Sequence, residues 1–149
     1  MHELSVLAAA VENPGRDCVI DNGRVWSYAE VAARVRTAMA SLVTRGVEPG
    51  EPVALTPRVD LDSIIWLYAL FELASPGVLL HPGLRARERA AALREVQPAH
   101  LIDGPVPDEA LAEPVAPQAS VSGEQTLVIA YTSGSSGPAR GVRLSRRAF

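Results

Sequence analysis

The sequence predicts an α/β fold with a largely parallel sheet, flanking helices and an early β-hairpin, and three observations carry that prediction. Short apolar runs at residues 53–55, 78–80, 100–102 and 126–131 read as buried strands. Between the first three lie stretches of helical periodicity, and strand, helix, strand in repetition is the order that crossover units of a parallel sheet produce. Ahead of them, Cys18-Val19-Ile20 and Arg24-Val25-Trp26 flank Asp21-Asn22-Gly23. Asn-Gly supplies the positive φ angles that a tight hairpin turn needs.

Residues 4–11 are apolar and follow Glu3 rather than a basic leader, so they read as a short amphipathic helix and not as a signal peptide. Ser27 and Glu30 have the spacing of a capping box. Val31, Val35, Met39, Leu42 and Val43 then recur at helical spacing until Gly46, which predicts a helix over residues 28–45. The next helix starts at an Asp60 or Asp62 cap and runs through Ala74. Residues 61–80 approach the length of a membrane span, but Asp62, Glu72 and Pro76 would place acids and a helix breaker in lipid. A buried helix running into a buried strand accounts for the same residues, with Gly77 after Pro76 as the break. A third helix covers residues 85–96, with Ala90, Ala91, Leu93 and Val96 as its buried stripe. Arg85, Arg87, Glu88, Arg89, Arg94 and Glu95 face solvent. Residues 104–123, rich in Pro, Ala, Glu and Ser, read as a surface connection.

A chain of 149 residues is of single-domain size and buries roughly two-thirds of the surface its unfolded form exposes. Fourteen arginines against 17 acids leave a net charge of -3 with no long run of either sign, which gives no footprint for nucleic acid. The one cysteine, Cys18, excludes an internal disulfide framework and fits a reducing, cytoplasmic setting. His2, His81 and His100 are scattered and carry no metal-ligand spacing.

The stretch that carries chemistry begins with the strand 126–131 and runs straight into Thr132-Ser133-Gly134-Ser135-Ser136-Gly137-Pro138-Ala139-Arg140-Gly141. Glycines let the backbone bend so that successive N–H groups converge on one anion, and the hydroxyls of Thr132, Ser133, Ser135 and Ser136 add donors that can follow a polyphosphate. Arg140 adds a charge able to make charge-assisted, bidentate bonds to phosphate. A Walker loop is excluded, because it requires Gly-Lys followed by Ser or Thr and the chain has no lysine. Residues 142–144 read as a return strand. The bland alternative is a flexible Gly/Ser hairpin loop.

Residues 131–142, Tyr-Thr-Ser-Gly-Ser-Ser-Gly-Pro-Ala-Arg-Gly-Val, resemble the signature of the AMP-binding, or acyl-adenylate-forming, superfamily. That signature usually reads Tyr-Thr-Ser-Gly-Thr-Thr-Gly-x-Pro-Lys-Gly-Val. Thr132, Ser133, Gly134, Ser135, Ser136, Gly137 and Gly141 fall on the family's phosphate loop, and Arg140 stands where lysine is usual. Pro138 comes one place early. Trp26-Ser-Tyr-Ala-Glu30, Val47-Glu-Pro-Gly-Glu-Pro-Val53 and the run from Leu70 to Pro82 are similar to the family's opening segments, with Ala74-Ser75-Pro76-Gly77 an unusual version of the last.

The resemblance implies the N-terminal part of the large domain of an adenylate-forming enzyme, incomplete as an active site and inactive in adenylation by itself. It implies ATP and Mg²⁺, a carboxylic acid substrate converted to acyl-AMP, and coenzyme A as co-substrate, in the manner of an acyl- or aryl-CoA ligase such as an o-succinylbenzoate ligase. An adenylation domain of a nonribosomal peptide synthetase and a noncatalytic interaction module derived from the same fold are the alternatives. The partners implied are the substrate acid and the rest of the same enzyme, with no nucleic acid and no membrane. The loop positions and neutralises phosphates rather than moving protons, so no general acid, base or metal ligand is assigned.

Overall fold

The computed structural model describes residues 4–109, 115–118, 122–132 and 140–148. In chain order the elements are α1 (Val6–Glu12), β1 (Asp17–Asp21), β2 (Arg24–Ser27), α2 (Tyr28–Thr44), β3 (Val53–Leu55), α3 (Leu61–Glu72), β4 (Gly77–Leu80), α4 (Ala86–Val96), β5 (His100–Ile102), β6 (Thr126–Thr132) and β7 (Arg140–Ser145), followed by a 3-10 turn at Arg146–Ala148. β1 and β2 form a separate antiparallel hairpin. The other strands make one sheet in the order β5-β3-β4-β6-β7, parallel except for β7, which runs antiparallel to β6.

Local chemistry sets most boundaries where the sequence puts them. Asn22 and Gly23 turn the hairpin with φ of 48° and 79°. Ser27 and Glu30 form both bonds of the capping box at the start of α2, and Gly46 follows its end with φ of 87°. The Asp60 side chain caps α3 by accepting from the Ser63 amide. The residues that approach membrane length are divided between α3 and β4, and among the described residues no helix is long and apolar enough to cross a membrane.

The two faces of the sheet carry different helices. Val53 and Leu55 point into a core with Val35, Met39 and Leu42 of α2 and Ile65, Trp66 and Leu70 of α3, whereas Ala54, Val78, Leu80, Ile129 and Tyr131 face α4. Arg34 ties α2 to α3 through Asp62 at 2.8 Å. Glu72, buried near the end of α3, accepts from the Ser5 hydroxyl at 2.9 Å and the Leu7 amide at 3.2 Å, so the acid that argued against a membrane span seats α1 on the core.

Four expectations are corrected. α3 ends at Glu72, before Ala74, because Ala74 itself takes the left-handed conformation with φ of 56°. Gly77 is the first residue of β4 and not the break. A Cβ there would lie 3.3 Å from Leu67 Cδ1 of α3, so the glycine permits close packing of helix on strand. The buried stripe of α4 is Ala92 with partly buried Leu93 and Val96, and Ala91 is exposed, since the helix turns its face one position further round than the alanine pair suggests. Finally, the connection after β5 is more than surface. Val106 is buried, the Trp66 indole N–H donates to the Gly104 carbonyl at 3.1 Å, and the Gln118 amide donates to the Glu72 carbonyl at 2.8 Å.

The strain at Ala74 gives a comparison that can be measured. Relieving an alanine in the left-handed region gains about 1–2 kcal/mol, which roughly offsets the lost methyl burial and the greater freedom of an unfolded glycine. Ala74→Gly should therefore be close to neutral. Ala69→Gly, in the fully buried interior of α3, has no strain to relieve and should cost about 2 kcal/mol in denaturant unfolding. Equal costs at the two positions would contradict the strained backbone.

Candidate functional site

The phosphate-loop candidate is placed by β6, which pairs parallel to β4 on one side and antiparallel to β7 on the other. Because β3, β4, β5 and β6 are parallel, their carboxyl ends share one edge of the sheet, the edge where α/β folds bind ligands. The chain leaves β6 at that edge and returns into β7, with Thr132 and Arg140 as cross-strand partners. Ser133, Gly134, Ser135, Ser136 and Gly137 lie outside the described residues. Thr132, Arg140 and Gly141 lie within them and form the two stems, and Arg140 is exposed. The structure thus brings the ends of the motif together at the carboxyl edge of the parallel strands.

Gly141 is opposite Tyr131 in the ladder. A Cβ built on Gly141 would lie 2.7 Å from Tyr131 Cζ and 2.9 Å from its hydroxyl oxygen, inside van der Waals contact. No left-handed φ is involved, so this position requires glycine for close approach of a ring and not for a turn. Tyr131 is 2% exposed and packs with Leu80, Leu84, Ala92 and Ile129, with Leu93 and Val96 of α4 alongside. Burial, a hydrogen bond to Glu95 and the negative charge of that carboxylate push its phenol up to about 12, against an opposing influence from Arg143. The phenol is therefore neutral at any physiological pH and acts as a buried wedge.

From sequence Tyr131 is the first residue of the signature and the last of a strand, with no supporting role assigned, and Glu95 reads as a solvent-facing charge. The available signal is register: a hairpin that pairs Thr132 with Arg140 necessarily sets Tyr131 against Gly141.

A concavity of about 290 Å³ opens at the same edge, at the ends of β3 and β5. Leu55, Ile102 and Trp66 form its apolar wall; Arg58 and Asp103, 3.7 Å apart, lie on its rim. β4 separates β3 from β6, so this cleft is about 10 Å along the sheet from the loop stems. Among the described residues no three His, Cys, Asp or Glu side chains come together as a metal site.

A mainly parallel sheet flanked by helices, with β6 and β7 meeting at its carboxyl edge, defines an α/β fold, and comparison with known proteins gives its family. The model of the AMP-binding enzyme family matches residues 6–149. The chain belongs to that family of adenylate-forming enzymes.

Its sequence relatives include the probable non-canonical nonribosomal peptide synthetase CymA of Salinispora arenicola, 28% identical over 135 residues that make up 90% of this chain and 2% of CymA. Another is the hybrid PKS-NRPS synthetase IccA of Talaromyces variabilis, 23% identical over 97% of this chain and 4% of IccA. Among solved structures, o-succinylbenzoate CoA synthetase (MenE) of Bacillus subtilis, in complex with its acyl-adenylate intermediate, superposes with a TM-score of 0.84 at 22% identity, covering 97% of this chain and 42% of MenE. The N-terminal subdomain of Klebsiella oxytoca NpsA gives 0.79 at 20% identity, covering 98% of this chain and 43% of NpsA. The chain thus spans less than half of each structural neighbour and a small part of each synthetase.

The raised phenol has a consequence for stability. An unfolded tyrosine ionises at its ordinary value of 10.0, whereas the folded Tyr131 holds its proton until about 12. The folded state therefore binds more protons across that window, and its stability falls as pH rises from about 10 to about 12. Denaturant unfolding at several alkaline pH values should show this loss for the wild-type chain and a smaller one for Tyr131→Phe. Parallel curves for the two would mean that Tyr131 is not held as described.

Proposed function

We propose that this chain supplies the polyphosphate grip of an enzyme that activates a carboxylic acid with ATP. The observation that supports this reading most directly is the junction of β6 and β7, which sets the ends of the Thr132–Gly141 motif side by side at the carboxyl edge of a parallel sheet. In this reading the amides and hydroxyls of Thr132, Ser133, Gly134, Ser135, Ser136 and Gly137 hold the β- and γ-phosphates, and Arg140, exposed at the loop exit, neutralises charge that grows on the departing pyrophosphate. Mg²⁺ enters with the nucleotide as MgATP. The substrate carboxylate attacks the α-phosphorus, the bond to the β-phosphate oxygen breaks, and acyl-AMP and pyrophosphate result.

The thiol that then takes the acyl group has two readings. Coenzyme A is the acceptor if the chain works in the manner of an acyl- or aryl-CoA ligase, and the fold it shares with MenE supports that course. A carrier-protein thiol is the acceptor of a synthetase adenylation domain, and the two synthetase relatives favour it. In both, the grip on ATP is the same.

The grip is tested by NMR titration of the isotopically labelled chain. MgATP and magnesium tripolyphosphate should both shift the amide signals of residues 132–141, with a Kd of about 1 mM for a grip that contacts the phosphates alone, and adenosine should shift none of them. Arg140→Ala should weaken both polyphosphates by about tenfold, the loss of one charge-assisted contact. If MgATP leaves those amides unmoved while perturbing residues elsewhere, the loop is not the phosphate site.

A further inference from the structure

We propose that Tyr131 is a positioning residue for the phosphate loop: its ring, lodged against the Cα of Gly141 and backed by α4, fixes the separation of the strand that enters the loop from the strand that leaves it. The inference rests on the reading of residues 132–141 as the polyphosphate grip and adds to it a part that lies outside the loop. Three features of the molecule converge on it. Tyr131 is one residue before the loop, Gly141 is the last residue of the motif, and the ladder sets the two face to face. The space a side chain would occupy on Gly141 is filled by the phenol, with 2.7 Å and 2.9 Å to its Cζ and hydroxyl oxygen. Ala92 belongs to the same buried cluster, Leu93 and Val96 of the same helix pack against that cluster, and Glu95 hydrogen-bonds the phenol.

Donors that must converge on a flexible polyphosphate act well only when their anchors are fixed, because ordering a loose loop on binding consumes affinity. The Thr132 and Arg140 stems have backbone pairing to hold them, but pairing alone leaves a terminal ladder rung free to fray. A ring pressed on the glycine of the adjoining rung holds both strands at once. Tyr131 touches no phosphate in this arrangement; it acts through Gly141 and the positions of the neighbouring amides.

A double-mutant cycle read by MgATP titration of the labelled chain tests this. Tyr131→Leu, which keeps apolar bulk and removes the ring, should weaken MgATP about tenfold, and Gly141→Ala, which must displace the ring, should do the same. The double variant should be no weaker than either single one, because the methyl of Gly141→Ala then has no ring to displace. Tyr131→Phe retains the ring and should bind within about threefold of wild type. Val35→Ala, in the α2 core far from the loop, should lower stability and leave MgATP affinity unchanged, which separates positioning from general destabilisation. If Tyr131→Leu binds as wild type, or if the two losses multiply to about 100-fold, the positioning role is overturned while the phosphate grip stands. If the wild-type chain gives no MgATP-dependent shifts in residues 132–141, the grip itself fails and this proposal with it.

Discussion

The molecule depends on the double pairing of β6. Its parallel ladder with β4, from Gly77 opposite Val128 to Leu80 opposite Tyr131, aligns β6 with the crossover strands and delivers its end to their carboxyl edge. Its antiparallel ladder with β7 then sets Arg140 opposite Thr132 at that edge. If β6 slipped by one residue, Tyr131 would change faces and leave the α4 cluster, and the residues at the base of the loop would no longer be those that carry the motif. Ladder register is thus the route by which core packing reaches the site. Leu80 is fully buried in the cluster that also holds Tyr131, and they are register partners, so the position of the loop is written into the hydrophobic core.

Much of the fold was legible because its signals are local. The Asn22-Gly23 turn, the Ser27 and Glu30 capping box, the Asp60 cap and Gly46 all act within a few residues, and each appears in the structure with the geometry its chemistry dictates. The misreadings of the end of α3 and of the connection after β5 share one cause, which is that the deciding partners are far away in sequence. Gly77 looks like punctuation beside Pro76, yet it opens β4, where a Cβ would come 3.3 Å from Leu67 Cδ1, while the break falls on Ala74, a residue with no turn signature of its own. The Ala74 carbonyl accepts from the Gln125 side chain at 2.7 Å, and the Ser75 amide bonds the Leu70 carbonyl. Tertiary and capping bonds hold a conformation that local propensity resists.

The site divides along the same line. Hydroxyls and glycines in sequence announce an anion-binding reversal, and they fall within the residues that the family model matches. Residues 133–137, where most of the assigned contacts fall, lie outside the described residues, so for these the motif and its family resemblance supply the assignment. The signature contains Tyr131 and Gly141 but does not show that they touch. Tyr131 and Gly141 become neighbours only through pairing, and Glu95 becomes part of the site only because α4 packs over β6. The cleft at the ends of β3 and β5 is likewise assembled from residues up to about 50 positions apart in sequence, and no spacing rule links them.

Arg140 is the position where this sequence departs from the family's usual lysine, and the rest of the chain shows how to weigh that. All fourteen basic residues of the protein are arginine. The substitution at 140 therefore follows a choice made at every basic site and is not by itself a sign of altered chemistry. It still has a physical effect, because a guanidinium stays charged at all working pH values and offers a planar fork of donors where an ammonium offers a compact point charge. A fork grips two oxygens best when its base is fixed in direction. Arg140 stands next to Gly141, which the buried Tyr131 ring holds in place, so the exchange of lysine for arginine and the wedge beneath it suit each other: the more directional the cation, the more its strand must be kept from turning.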